Sequence, residues 1–129
     1  MESEKKGLKL TEADISKYRI EIDNIDLVER EKVLAESIAK ISKMLQSKKM
    51  DKYQLVLIQG VNAIYNILRA KPNLEDLVQQ KLIFALKYFI SGDDEIPDSI
   101  SEIGYLDDLT VINWIIQDVK EQYSNYFYA

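Results

Sequence analysis

The sequence contains no cysteine and no histidine, and these two absences remove whole classes of chemistry. Without a thiolate or an imidazole there is no disulfide, no Cys/His zinc site and no thiol nucleophile. A Ser-His-Asp or Cys-His mechanism, like a histidine pH switch, lacks its central residue. Any reaction on this chain would rest on carboxylates, Lys, Ser, Thr or Tyr, and a non-enzymatic role is the expectation. Long apolar runs are missing too. No stretch approaches the roughly 20 residues of a membrane span, and the charged stretch Met1 to Lys9 lacks the apolar core of a signal peptide.

Positive charge is also in short supply. Lys and Arg number 17 against 22 Asp and Glu, a formal net charge of −5. A phosphate-backbone binder gathers cations on one face to release counterions, so nucleic acid is not an expected partner. What is present is ordinary for a globule in water: 129 residues, 47% hydrophobic and 30% charged, imply one domain with its own core. Such a chain buries roughly two-thirds of its unfolded surface without metals or covalent staples. The expected compartment is the cytoplasm.

Residues 1 to about 10 are polar and Lys/Glu-rich and read as a mobile tail, leaving 11–129 as a single helical domain. Thr11, with Glu12 and Asp14 behind it, suits the cap of a short helix through Ile15, Tyr18 and Ile22. Four further segments carry apolar stripes at alternating three- and four-residue steps, the period of one helix face. The first, capped by Asp26, runs through Leu27, Leu34, Ile38, Ile41 and Leu45. The second, with Asp51 and Gln54 as a capping pair, runs through Leu57, Val61, Ile64 and Leu68 and is stopped by Pro72. Asn73 is the expected cap of the third, with Leu74, Val78, Leu82, Ala85 and Phe89 facing inward. The fourth is expected to begin near Asp107 or Asp108 and to run through Leu109, Ile112, Ile116, Val119, Tyr123 and Phe127.

Leu55, Val56, Ile58, Ile67, Val111, Trp114 and Ile115 lie outside the main stripes, so the second and fourth of these helices are expected to be the most buried. Short connections favour antiparallel neighbours. The fold class is all-α: a compact four- to five-helix bundle with a bent acidic link between the last two helices. Lys40, Lys43, Lys48 and Lys49 cluster at the end of the first striped helix, where cations complement the helix dipole.

The link is the distinctive feature. From Tyr88 to Val119 there is no Lys or Arg, while carboxylates stand at Asp93, Asp94, Glu95, Asp98, Glu102, Asp107, Asp108 and Asp118. Gly92 suits a helix stop, and Pro97 fixes its own φ and pushes Ile96 out of the helical region. Ile96, Ile100, Ile103 and Leu106 recur at four- and three-residue intervals, the spacing of a tight path pinned to the core on one side. Tyr88, Ser91, Asp94, Ile96, Pro97, Asp98, Ile100, Ile103, Gly104, Asp107 and Asp108 match, without gaps, the hallmark of a known family. Over Tyr88 to Asp108 the chain resembles the YkvA-like domain of unknown function, number 1232 in that series. The resemblance implies a helical domain; the family has no established common activity and also occurs as an appendage to other modules, including RING-type ubiquitin ligases. Gly92 and Ser101 replace the usual prolines of the family, and Glu95, Ser99 and Glu102 replace residues that are commonly apolar. The apolar version of this loop often accompanies membrane association in relatives, and the polar version here argues against it.

The link carboxylates admit several readings. In the structural one, Asp107 or Asp108 caps the last helix while Asp94 and Asp98 cap turns around Pro97. In a second, Asp94, Asp98, Asp107 and Asp108 hold a hard cation, Mg²⁺ or Ca²⁺, and serve a regulatory or hydrolytic activity. In the leading one, Asp93, Asp94, Glu95, Asp98 and Glu102 form an acidic recognition surface for a basic protein partner. Tyr126, Phe127 and Tyr128 are a candidate second contact, to a partner or in a homodimer. Trp114 and Tyr123 are assigned to the core. A small acidic inhibitor or immunity-type protein that masks a basic enzyme site is a further alternative.

Overall fold

A computed structural model of the chain describes residues 10–46, 52–71, 73–91 and 101–122, and within the last stretch the side chains from 109 to 121. Among the described residues five α-helices follow one another: α1 (Glu12–Asp23), α2 (Arg30–Leu45), α3 (Lys52–Ala70), α4 (Asp76–Ser91) and α5 (Ser101–Gln122). A single 3₁₀ turn, Leu27–Glu29, leads into α2, and no strand occurs among the described residues.

The helix starts show how local chemistry selects the boundaries. At α1 the Thr11 hydroxyl accepts from the Asp14 N–H at 3.0 Å while the Asp14 carboxylate accepts from the Thr11 N–H at 3.2 Å. This reciprocal capping box satisfies two amides that have no partner inside the helix. Asp26 accepts from the Val28 N–H at 3.0 Å, so it caps as expected, but the turn it opens is 3₁₀ and regular α geometry starts only at Arg30. The proposed Asp51 cap and the Pro72 stop lie outside the described residues. Asn73 is not the residue that opens α4. The helix begins at Asp76, and the carbonyl of Glu75 accepts from Gln79 N–H at 3.0 Å.

Three helix ends are closed from elsewhere in the bundle. The last carbonyls of a helix lack intrahelical donors and carry the negative end of its dipole. Gln80 of α4 donates to the carbonyls of Asp23 and Ile25 at the end of α1. Arg30 of α2 donates to the Leu68 carbonyl in the last turn of α3, and Lys40 of α2 donates to the Phe89 carbonyl in the last turn of α4. Lys40 therefore acts on the dipole of α4 rather than on that of its own helix. Of the lysines grouped with it, Lys43 stands in the last turn of α2, and Lys48 and Lys49 lie outside the described residues.

The core forms around α4, which packs against each of the other four helices. Val78, Lys81, Leu82, Ile83, Phe84, Ala85, Leu86 and Phe89 are all buried there. The expectation that the helix now called α3 would be among the most buried is therefore corrected; in α5, whose side chains are described from 109 to 121, Val111, Ile112, Ile115 and Val119 are buried. The α3 stripe Leu57, Val61, Ile64 and Leu68 is fully buried, but Leu55 and Val56 remain 46% and 45% exposed. Both lie off the buried stripe of α3. Leu45, at the end of the α2 stripe, is also exposed. Leu10, the last residue of the expected tail, packs on the core, and residues 1–9 lie outside the described residues.

Helix α3 approaches α5 at a glycine. A Cβ built on Gly60 would lie 2.9 Å from Ile112 Cγ2, a methyl on a β-branched carbon with no room to swing away. Replacing this glycine by a larger residue should therefore force the helices apart. Gly60→Leu is expected to cost about 2 kcal/mol or more by overpacking. Gly60→Ala already adds the Cβ that meets Ile112, so it is expected to cost about 1 kcal/mol despite the gain in helix propensity, and less than Gly60→Leu. Urea unfolding midpoints measure both, and an unaffected Gly60→Leu protein would contradict this α3–α5 packing.

Candidate functional site

The acidic run is held by an antiparallel pair of helices. Lys81, in the first half of α4, places its Nζ 2.5 Å from Asp118 Oδ2 near the end of α5. This contact at the far end brings the linked ends, Ser91 of α4 and Ser101 of α5, to the same end of the bundle. Lys81 and Asp118 have side chains only 6% and 17% exposed. A charge so placed loses its hydration and persists only with a close counter-charge.

Around this pair, aromatic side chains join α1 to the hairpin. The ring of Tyr18 lies 5.4 Å from Phe84, 5.8 Å from Tyr88 in an edge-on arrangement, and 6.0 Å from Trp114. The Arg19 guanidinium sits 5.7 Å from the Trp114 ring, within cation–π range. Trp114 thus belongs to the packing of α1 on α4 and α5 but stays half-buried rather than enclosed. Tyr123, also assigned to the core, lies outside the described residues.

The end of α4 from which the acidic run departs is fastened to α2. Lys40 lies 4.5 Å from the centroid of the Phe89 ring as well as on the Phe89 carbonyl. Lys87 pairs with Glu29 at 2.8 Å, and the Ser91 hydroxyl donates back to the Lys87 carbonyl at 3.0 Å. The Lys87–Glu29 pair is more than 40% exposed on both sides and adds little stability, but it fixes the direction of the Lys87 side chain.

The acidic residues themselves divide into two groups. Asp93, Asp94, Glu95 and Asp98 lie outside the described residues, as do Tyr126, Phe127 and Tyr128. Glu102, Asp107 and Asp108 have described backbones, all within α5. This corrects the expected helix start. Helix α5 begins at Ser101, so Asp107 is its seventh residue and Asp108 its eighth. The free amides of a helix are those of its first turn, so neither aspartate caps α5. The path expected through Ile103 and Leu106 is α-helical, while Ile96 and Ile100 lie outside the described residues. Among the described residues no three carboxylates gather into a group suited to a metal ion.

Two residues now prominent were not singled out by the sequence pattern. Lys81 and Asp118 are 37 residues apart and pair only through the hairpin. Their signal was weak but present: Lys81 directly precedes the apolar run Leu82 to Leu86, and Asp118 stands close to Ile115, Ile116 and Val119.

Residues 81–114 match the family model described as Protein of unknown function (DUF1232). The match starts at Lys81, crosses the acidic run and ends at Trp114. The resemblance read from Tyr88 to Asp108 therefore extends into both flanking helices. The DUF1232 segment comprises most of α4, the link and roughly the first two-thirds of α5, while α1, α2 and α3 pack around it. No curated protein and no solved structure matches the chain. No helix among the described residues is long and apolar enough to cross a membrane.

Removing one member of the buried ion pair should be costly because the other loses its counter-charge. Asp118→Ala is expected to destabilise the protein by about 3 kcal/mol, and Lys81→Met/Asp118→Leu together by much less, since apolar replacement removes both desolvation costs. A double-mutant cycle by chemical denaturation reads the coupling. A cost below about 1 kcal/mol for Asp118→Ala would show that the pair is not desolvated in solution.

Proposed function

We propose that the chain is a non-enzymatic helical interaction module whose acidic segment between α4 and α5 contacts a protein partner of basic character. The observation that carries this reading is the concentration of charge on a fastened hairpin. Between Tyr88 and Val119 there are eight carboxylates and no cation; Asp118 is paired with the buried Lys81, and the other seven fall between Asp93 and Asp108, on a hairpin tied by Lys81–Asp118 and by Lys40 on α4. A rigid support lowers the ordering cost of binding, and a single sign of charge steers an oppositely charged partner and repels wrong ones. An inhibitor or immunity-type protein covering a basic enzyme site is a special case of the same reading. Tyr126, Phe127 and Tyr128 are a proposed second contact, toward the partner or a second copy.

A divalent-cation role for Asp94, Asp98, Asp107 and Asp108 is the second reading. It is favoured by the position of Asp107 and Asp108 beyond the first turn of α5, which removes their assignment as caps. Oxygen ligands of this kind suit Mg²⁺ or Ca²⁺.

The interaction reading predicts that complexes captured with the wild-type chain weaken at least tenfold in Asp93→Asn/Asp94→Asn/Glu95→Gln/Asp98→Asn and dissociate as salt is raised. Partners retained by this variant, or held equally in high salt, would overturn it. Thermal unfolding with millimolar Mg²⁺ or Ca²⁺ separates the two readings. The interaction module should melt at an unchanged temperature, whereas a bound cation at about 100 times its Kd adds about 2.7 kcal/mol.

A further inference from the structure

We propose that two grooves flanking the end of α4 seat apolar side chains of a basic peptide segment of the partner, beside the acidic run. The inference rests on the interaction reading and extends it from charge to shape. Lys87 and Ser91 form a ridge along the outward face of α4. On the α1 side of the ridge lies an open groove of about 390 Å³ with Ile25, Phe84 and Tyr88 in its floor and Glu21 on its rim. On the α2 side lies another, of about 420 Å³, floored by Val33 and Ile90 and rimmed by Glu29, Lys32 and Glu36. Lys87 and Ser91 line both.

Each groove falls at the lower end of the range of ligand pockets, about 300 to 1,000 Å³, which suits anchoring side chains better than a large cofactor. Their charge selects the occupant. Glu21, Glu29 and Glu36 outnumber Lys32 and Lys87 around the two rims. Glu29 holds Lys87 at 2.8 Å, while Glu21 and Glu36 are exposed on opposite rims. Continuity adds to this: Ser91 belongs to both grooves and is the last residue of α4 before the carboxylates of the link. Apolar floors, mainly acidic rims and an adjoining acidic segment match a segment that alternates cations with apolar anchors. An anionic lipid surface or a nucleic acid has the wrong sign for this end of the bundle.

The test uses the full chain and two 12-residue peptides, one alternating pairs of Arg with pairs of Leu, the other with Ser in place of Leu. Affinities come from titration calorimetry and sites from amide chemical shifts. The Leu peptide should bind at least tenfold more tightly than the Ser peptide and shift Ile25, Val33 and Ile90. Ser91→Trp, at an exposed position between the grooves, should weaken the Leu peptide at least fivefold and leave the Ser peptide unchanged. Equal affinities, with shifts confined to the link, would overturn the grooves and leave the acidic reading standing. Leu-peptide binding at the grooves that survives neutralisation of Asp93, Asp94, Glu95 and Asp98 would support the grooves and overturn the acidic reading. If neither peptide binds, both are overturned.

Discussion

A helix enclosed by its neighbours must satisfy every polar group it carries, and α4 is such a helix. It packs against α1, α2, α3 and α5, so water is excluded from its inward faces, and only positions such as Leu77, Lys87 and Ser91 reach solvent. Gln79 turns back to the Leu74 carbonyl at 2.8 Å, Gln80 closes the end of α1, Lys81 takes Asp118, and Lys87 takes Glu29. Ser91 bonds to its own helix. Gln80, Lys81 and Lys87 each draw a different element to α4, so the polar residues of the central helix do more to set the arrangement of its neighbours than their net energies suggest. The apolar contacts provide most of the driving force, since the fully buried Leu57, Leu82, Phe89 and Ile112 come from three helices and meet in one core.

Features of the fold that depend on neighbouring residues were legible in the sequence, and those that depend on which helices touch were not. The Thr11–Asp14 box and the Asp26 cap are local chemistry and appear where the residue types place them. The stripes of α3 and α4 are buried as their period requires. The ranking of helices by burial failed because Leu55 and Val56 are apolar yet stay nearly half exposed. In α4, meanwhile, Ile83, Phe84 and Leu86 lie off the stripe and are buried. Those three residues carry the same signal that marked α3, and the criterion applied evenly would have identified the central helix. Lys81 illustrates the deeper limit. A lysine between glutamines and apolar residues reads as an exposed position, and only the hairpin, which brings Asp118 alongside, makes a buried one tolerable.

The start of α5 was misread for an energetic reason. Gly104 costs about 1 kcal/mol in a helix interior, and Pro97 with Gly92 mark a turn, so the whole stretch to Leu106 looked like a link. Packing of α5 against α3 and α4 overrides that cost, and the helix runs without a break from Ser101 through Gly104 to Gln122. The helix thus takes in Glu102, Asp107 and Asp108, while Asp93, Asp94, Glu95 and Asp98 lie outside the described residues. On a helix the backbones of Asp107 and Asp108 are held in a fixed relation to one another, whereas in a loop they would not be.

The acidic run stands at the wrong end of α4 for a stabilising role. Carboxylates are favourable at a helix N-terminus and unfavourable at a C-terminus, by roughly 0.3 to 1 kcal/mol each when exposed. Asp93 and Asp94 follow Ser91, the last residue of α4, by two and three positions in sequence. Taken alone, that placement opposes the helix it follows. Lys40 supplies a cation at that helix end, its ammonium on the Phe89 carbonyl and over the Phe89 ring, while Lys87 one turn before the end is paired with Glu29. The same carboxylates lead into the N-terminal end of α5, where negative charge is favourable, so the two helix ends that meet at this end of the bundle make opposite electrostatic demands on one acidic run.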